Sequence, residues 1–262
     1  MSHDSAPQTA PPSAAEEAST GHAGLLIACG LLLLAAIIRI PAFAYTGDRL
    51  NPFFFASEAI VVLAVIYASE QVIALLHGRS GLHRLDFLNR FQLCFQTFLP
   101  MTIACMTLAI VSDLIADHAG WEDFNGHNIF LRGVDGIAFD QKTDAGRVFS
   151  TTLAGLLIVF VIERAQRSAL SLRRAARIFI QHAVYLAAGV AVASLFLFWL
   201  AGVQQAVRTD VMATVHSLDS VLAKNATIAL FAGGFACLRL VAVVTIFTLV
   251  LRASYRRRAA SA

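Results

Sequence analysis

Six long apolar stretches, separated by polar connections, dominate the hydrophobic pattern of the chain. A helix rises ~1.5 Å per residue, so about 20 apolar residues cross the ~30 Å hydrocarbon core of a bilayer. The pattern therefore predicts an all-α polytopic integral membrane protein, a six-transmembrane-helix bundle. The predicted spans are residues 23–40, 53–76, 91–116, 148–163, 178–203 and 227–251.

Composition supports this class. Hydrophobic residues make up 58% of the 262 residues and charged residues 14%, whereas soluble domains are nearer ~45–50% and ~25%. The longest predicted connection, residues 117–147, is too short for an independent soluble domain. Any function must therefore lie in the bundle, its loops or its tails.

Residues 1–22 are rich in Ala, Ser and Pro and lack Lys and Arg, which predicts a disordered cytoplasmic tail. Residues 252–262 are predicted to be a basic cytoplasmic tail. A cleaved signal peptide or a lipoprotein anchor is the alternative for the first span. The absence of a cationic segment before it, and the apolar run that continues past Cys29, favour a retained helix.

The positions of the basic residues predict the topology. Twelve of them lie between spans two and three, between spans four and five, or after span six, and six lie in the other three connections. The positive-inside rule then places both chain ends in the cytoplasm. The arginine-rich composition favours a bacterial inner membrane, with the acidic loop 117–147 on the periplasmic side. The basic residues follow topology rather than forming one patch, so no nucleic-acid partner is predicted.

Four charged side chains are predicted to form an intramembrane cluster. Arg239 lies at the centre of the sixth span, where a charge is costly and usually has a partner. Helical side chains lean toward the N-terminus, which directs Arg239 toward Glu58 first and Glu70 second. Arg39 and Asp113 are then expected to satisfy each other. The cluster either fixes helix register or forms part of a solute or proton path.

A polar stripe on the third span is the predicted pathway lining. Gln92 and Gln96 are four residues apart, as are Asp113 and Asp117, and the two pairs fall on nearby faces of one helix. We expect this face to point into the bundle or a water-filled crevice, with Glu70 also contributing. Interhelical hydrogen bonding without transport is the alternative.

Histidines and cysteines give weaker signals. His77 and His182 are predicted at similar depth on two helices, the minimum for bis-histidine haem b. His118, Glu122 and His127 form a weak divalent-metal hypothesis in the acidic loop. Cys29, Cys94, Cys105 and Cys237 fall in apolar spans and are interpreted as small buried hydrophobes. No cofactor is predicted.

Two arginine-rich segments predict a lipid partner. Residues Arg164–Arg177 and Arg252–Arg258 adjoin predicted spans, where basic side chains bind anionic head groups. Residues 208–225 show apolar positions at helical spacing and predict a short amphipathic helix at the interface. Small residues in spans five and six allow close packing, within the chain or in a homo-oligomer or larger complex.

Three function classes remain open. The first is a small-solute or ion/proton permeation protein, supported by the charged cluster and the polar stripe. The second is a non-catalytic membrane subunit or assembly protein of a larger complex. The third is a haem b or other redox membrane protein. The sequence contains no Walker A loop, CxxC, HExxH or GxSxG motif, so catalysis is not favoured.

Overall fold

The computed structural model describes residues 14–44, 51–77, 87–166 and 172–259. Over these residues the backbone is helical apart from the connection between the third and fourth helices and the turn between the fifth and sixth. The long helices are α1 (Ala14–Ala44), α2 (Pro52–His77), α3 (Phe87–Ala119), α4 (Asp144–Gln166), α5 (Leu172–Ser217) and α6 (Val221–Ala259).

All six helices are long and apolar enough to cross a membrane, which confirms the predicted number of spans. Their apolar parts are Gly24–Pro41, Pro52–Glu70, Leu88–Ala119, Asp144–Arg164, Ala176–Ser217 and Val221–Ser254. Helix α1 begins at Ala14, so residues 14–22 of the predicted tail are helical, while residues 1–13 lie outside the described residues.

Helices α2 and α6 form the middle of the bundle. Helix α1 packs against both, and α4 packs against α2, α5 and α6. Helix α3 is peripheral: its main contacts are with α2 and with the connection that follows it. Its buried face carries small and sulfur-bearing residues such as Cys94, Cys105 and Ala109, while much of its apolar surface is exposed.

Glycines allow two close helix approaches, both involving α6. A Cβ placed on Gly155 of α4 would lie 2.5 Å from the Phe247 ring, and one on Gly189 of α5 would lie 2.7 Å from it. About four turns nearer the N-terminus of α6, a Cβ on Gly233 would lie 3.3 Å from the Cα of Leu33 in α1. Only a residue without a side chain lets these helices pack so closely.

Residues 208–225 do not form a separate interfacial helix, so that prediction is wrong. Helix α5 continues to Ser217, turns over residues 218–220, and α6 starts at Val221. No Gly or Pro interrupts residues 203–217, so nothing in the sequence stops the helix earlier. The two helices therefore extend as one hairpin, whose outer part (residues 205–230) is mostly exposed.

Candidate functional site

The chain between α3 and α4 folds back into the bundle instead of remaining at its edge. We call residues 120–143 the re-entrant segment. Gly120, with a φ of 70°, ends α3 in the left-handed conformation that glycine adopts without strain. The segment then packs along α3, with Gly126 beside Asp113 and Gly133 beside Cys105. From the end of α3 back to Cys105 is about 21 Å at a rise of ~1.5 Å per residue.

The deepest part of the re-entrant segment is buried without being a long helix. Residues 133–139 are all buried, following a π-helical turn at His127–Leu131 and including a 3-10 turn at Asp135–Ile137. Five of their seven backbone N–H groups donate to nearby carbonyl oxygens, among them Gly136 N to Arg132 O at 2.7 Å and Phe139 N to Asp135 O at 3.0 Å. Irregular backbone within a bundle is tolerated only where protein or water satisfies it.

The side chain of Gln141 closes the buried turn. Its Nε2 donates to the carbonyl oxygen of Arg132 at 2.6 Å and to the hydroxyl of Ser150 on α4 at 2.8 Å. Gly136 packs directly against Gln141 and Ser150, where a Cβ would overlap both side chains. The re-entrant segment is therefore fixed against α4 by hydrogen bonds as well as by apolar packing.

Asp135 forms the first anchor between the re-entrant segment and the helices. Its carboxylate forms an ion pair with Arg39 of α1, and both side chains are at most 7% exposed. Arg132 lies 3.5 Å from the other oxygen of Asp135. The Arg39 guanidinium also lies 4.2 Å from the Phe139 ring centroid, a cation–π contact. Two arginines and one ring thus surround a single buried carboxylate.

Asp140 forms the second anchor. Arg239 of α6 donates to its Oδ1 at 2.8 Å and to Oε1 of Gln204 on α5, also at 2.8 Å. Arg147, at the start of α4, donates to the same Asp140 oxygen at 3.4 Å and pairs with Asp144. The Arg239 side chain is 2% exposed, whereas the Asp140 side chain is 35% exposed. This buried cation therefore depends on a carboxylate that is itself only partly buried.

Some polar atoms around the two anchors have no hydrogen-bond partner among the described residues. Among the described residues, the buried Nε of Arg239 and Oε1 of Gln141 have no hydrogen-bond partner. A buried donor or acceptor without a partner costs about 1–3 kcal/mol. Together the anchors place four arginines around three aspartates, Asp135, Asp140 and Asp144. We call these seven side chains the arginine–aspartate network.

The partner of Arg239 differs from the prediction. Its carboxylate partner is Asp140, not Glu58, because the re-entrant segment brings that side chain to the middle of α6. Glu58 is half-buried on α2 and within electrostatic range of Cys105 on α3. Sequence reasoning assigned partners only among the spans, and therefore did not consider the connecting segment.

Asp113 also has partners other than Arg39. Its carboxylate accepts from the backbone N of Gly126 and lies 3.2 Å from Nδ1 of His127, which fastens the start of the re-entrant segment to α3. The expected Arg39–Asp113 pair is therefore replaced by Arg39–Asp135. Of the four residues in the predicted cluster, the structure places Arg39 and Arg239 in the arginine–aspartate network.

The predicted pathway lining does not face the bundle interior. Gln92, Gln96 and Asp117 are exposed on α3, because that helix packs through its opposite, sulfur-bearing face. Glu70 of α2 forms an ion pair with Arg90 at 2.7 Å. Arg90 also lies 4.6 Å from the ring centroid of Tyr67. These three side chains therefore do not point into the bundle, whereas their orientation toward a water-filled crevice stays a prediction. Glu70 joins α2 to α3.

The metal and haem hypotheses gain no support from the geometry. His118, Glu122 and His127 are exposed, and the described residues contain no group of three side chains suited to a metal ion. His182 is fully buried, with Nδ1 2.8 Å from the hydroxyl of Ser254 on α6. The side chain of His77 lies outside the described residues, so the paired-histidine hypothesis stays a prediction.

Asp135, Asp140 and Gln204 were missed by sequence reasoning. The only signal was for Asp135, which lies in the mostly apolar residues 129–139 of the acidic loop with a glycine on either side. A charge amid small and apolar residues indicates a buried partner, in a loop as well as in a span.

Comparison of the chain with protein-family models, with curated proteins and with solved structures finds no match.

Proposed function

We propose that this chain is a small-solute or ion/proton permeation protein of a bacterial inner membrane, in which the re-entrant segment closes the path. The observation that carries the proposal is the buried, irregular stretch 133–139, packed among apolar helices and anchored by two ion-paired aspartates. Non-helical backbone inside a helical bundle is typical of proteins whose interior opens to a solute.

The second anchor is suited to opening. Asp140 is one-third exposed and binds two arginines, so protonation or a competing anion can weaken its hold on Arg239. The first anchor, at Asp135, is buried and has two arginine partners. We infer that the segment stays attached to α1 while its Asp140 end moves away from α6.

The orientation is part of the same proposal. The distribution of basic residues supports both chain ends in the cytoplasm and the re-entrant segment entering from the periplasmic side. The arginine-rich stretches Arg164–Arg177 and Arg252–Arg258 would then lie at the cytoplasmic surface, where anionic head groups bind basic side chains. The side chains of residues 165–175 and 255–258 lie outside the described part of the structure.

Flux in proteoliposomes tests the proposal. The wild-type protein, the Asp140→Asn variant and the Asp144→Asn variant would be reconstituted at equal density, and ion and proton movement followed under an imposed potential. We expect Asp140→Asn to raise the flux several-fold, because it removes the charge that holds the segment to Arg239. Asp144→Asn is the matched control, since that side chain is 76% exposed and bonds only Arg147 among the described residues.

Two results would contradict permeation. One is a flux no greater than that of empty liposomes for all three proteins at each pH and potential. The other is an equal rise in both variants, which would trace the effect to surface charge rather than to the anchor. Glu58→Gln is a further variant, expected to alter the pH dependence if that side chain lies on the path.

A non-catalytic subunit or assembly protein is the second candidate, favoured by the α5–α6 hairpin. Its outer part carries exposed apolar side chains, among them Val221 at 72% and Leu222 at 79% exposure. Affinity purification from native membranes under mild detergent distinguishes the two. A stoichiometric partner lost on Leu222→Lys, together with absent flux, would favour the subunit. A haem b protein is the third candidate and predicts a Soret band that disappears in His182→Ala.

A further inference from the structure

Helices α1 and α6 cross in an antiparallel register that brings two cysteines together. At the closest point, a Cβ on Gly233 would lie 3.3 Å from the Cα of Leu33. Moving one helical turn along each helix, in opposite directions, leads from Leu33 to Cys29 and from Gly233 to Cys237. The two cysteines therefore face each other one turn from the tightest contact between the helices.

The Cys237 thiol lies against the backbone of Cys29. Its Sγ donates to the carbonyl oxygen of Cys29 at 3.5 Å. A disulfide needs Cα atoms roughly 4.4–6.8 Å apart. With a Cα–Cβ bond of ~1.5 Å, the Cα atoms of Leu33 and Gly233 are within about 4.8 Å of each other. The backbones at this crossing are therefore close enough for a bridge nearby.

We propose that Cys29 and Cys237 are a redox pair that forms a reversible disulfide between α1 and α6. Both S–H bonds break and one S–S bond forms. The two electrons and two protons pass to a lipid-soluble quinone, which becomes a quinol. A dithiol reductant reverses the step by thiol–disulfide exchange, which restores both cysteine thiols and leaves the reductant as a disulfide. The proposal does not depend on permeation.

The surroundings of the pair favour a lipophilic oxidant. Both cysteines are only partly buried and lie in helices long and apolar enough to cross a membrane, so a quinone can reach them from the lipid. Cys94 and Cys105 are buried on α3, where the small residues of that helix pack inward. Apolar surroundings disfavour the reactive thiolate, so oxidation is expected to be slow, while the preformed contact makes it selective for this pair.

Closing the bridge would bear on the arginine–aspartate network. Helix α1 carries Arg39 and α6 carries Arg239, so the bridge covalently joins the two helices to which the re-entrant segment is anchored. Cys237 is two residues from Arg239, on the same turn of α6. The oxidised form would therefore limit separation of the two anchors.

Thiol counting tests the proposal. A Cys94→Ala/Cys105→Ala variant retains only the pair, and native membranes containing it would be treated with a short-chain ubiquinone analogue. After denaturation, a maleimide-linked polyethylene glycol adds a visible gel shift for each free thiol. We expect two labels before treatment, none after treatment, and two again after dithiothreitol. Adding Cys29→Ser or Cys237→Ser to the same variant should leave one label throughout.

The wild-type chain provides a test that needs no variant. After quinone treatment we expect two of its four thiols to be lost, a mass decrease of two hydrogens, and a linked peptide pair containing Cys29 and Cys237. The proposal is overturned if all four thiols remain, if Cys94 or Cys105 is found in the link, or if the bridge joins two chains rather than two helices of one.

Discussion

Helix α6 is held at two layers by opposite means. Around Phe247, the ring fills a groove between Gly155 of α4 and Gly189 of α5, and contact is purely steric. Two turns toward its N-terminus, Arg239 is held by Asp140 and Gln204, and contact is ionic. The steric layer involves only regular helices, whereas the ionic layer depends on the re-entrant segment.

This difference separates a fixed part of the bundle from one that can change state. A ring against two glycines has one good arrangement, because any displacement opens a void or creates a clash. An arginine that shares a one-third-exposed carboxylate with Arg147 responds to ions and competing anions. If the protein has two conformations, we expect α6 to pivot at the Phe247 layer and to move at the Arg239 layer.

The largest expected effect is at the fully buried anchor. Asp135→Asn removes the carboxylate that pairs with both Arg39 and Arg132, whose side chains are at most 17% exposed. Breaking a buried pair costs about 3–5 kcal/mol. The free energy of unfolding, measured by denaturant titration in mixed micelles, should fall by that amount.

Asp144→Asn is the matched control for this prediction. Its side chain is 76% exposed, so the loss should stay within about 0.5 kcal/mol. Equal losses for Asp135→Asn and Asp144→Asn would mean that burial of the anchor does not determine its strength.

The next effect is an asymmetry within the second anchor. Asp140→Asn removes the negative charge beside the buried Arg239. We expect the free energy of unfolding to fall by roughly 3 kcal/mol, the low end of the buried-pair range, because Asp140 is partly exposed. Arg239→Gln should cost less, about 1–2 kcal/mol, because Asp140 keeps Arg147 and contact with solvent. If Arg239→Gln lowers the free energy of unfolding more than Asp140→Asn does in the same titration, the carboxylate depends on the pair and the arginine does not.

The smallest of these effects is at the steric layer. Gly155→Ala places a methyl group 2.5 Å from the Phe247 ring, and overpacking of this kind costs about 1–3 kcal/mol. Gly202→Ala on α5 is the control, since a Cβ there meets nothing within 4 Å. It should leave stability unchanged or raise it slightly.

Combining Gly155→Ala with Phe247→Leu should recover part of the loss, because the smaller side chain makes room for the methyl group. If Phe247→Leu instead adds its full cost to that of Gly155→Ala, the two residues are not in contact and the steric layer is wrongly described.

The helices were predictable from the sequence because hydrophobicity alone marks them. Four of the six predicted apolar runs exceed the ~20 residues that cross a bilayer, and the six helices include all six predicted spans. Arg39 and Arg239 also stood out, since a charge within an apolar run is rare. Their importance was thus visible from local sequence, without any knowledge of packing.

The partners of these arginines were not predictable in the same way. Asp135 and Asp140 belong to a connection with no helical or strand periodicity, so the apolar residues around Asp135 could indicate burial but not which arginine pairs with it. Sequence reasoning also did not identify which face of α3 packs inward, because the glutamines and the sulfur-bearing residues of that helix lie on different faces. Which face packs inward depends on neighbours that the sequence of one helix does not contain.

The long sequence separation of the two anchors has a consequence for biogenesis. Asp135 pairs with a residue 96 positions earlier, whereas Asp140 pairs with one 99 positions later. While the chain is being synthesised, Arg39 is already available when the re-entrant segment emerges, but Arg239 does not yet exist. The segment must therefore wait with Asp140 paired only to Arg147 until the last helix enters the membrane. Assembly of α6 is then the step that completes the fold, and a ribosome stalled before it would leave an open intermediate for quality-control proteases.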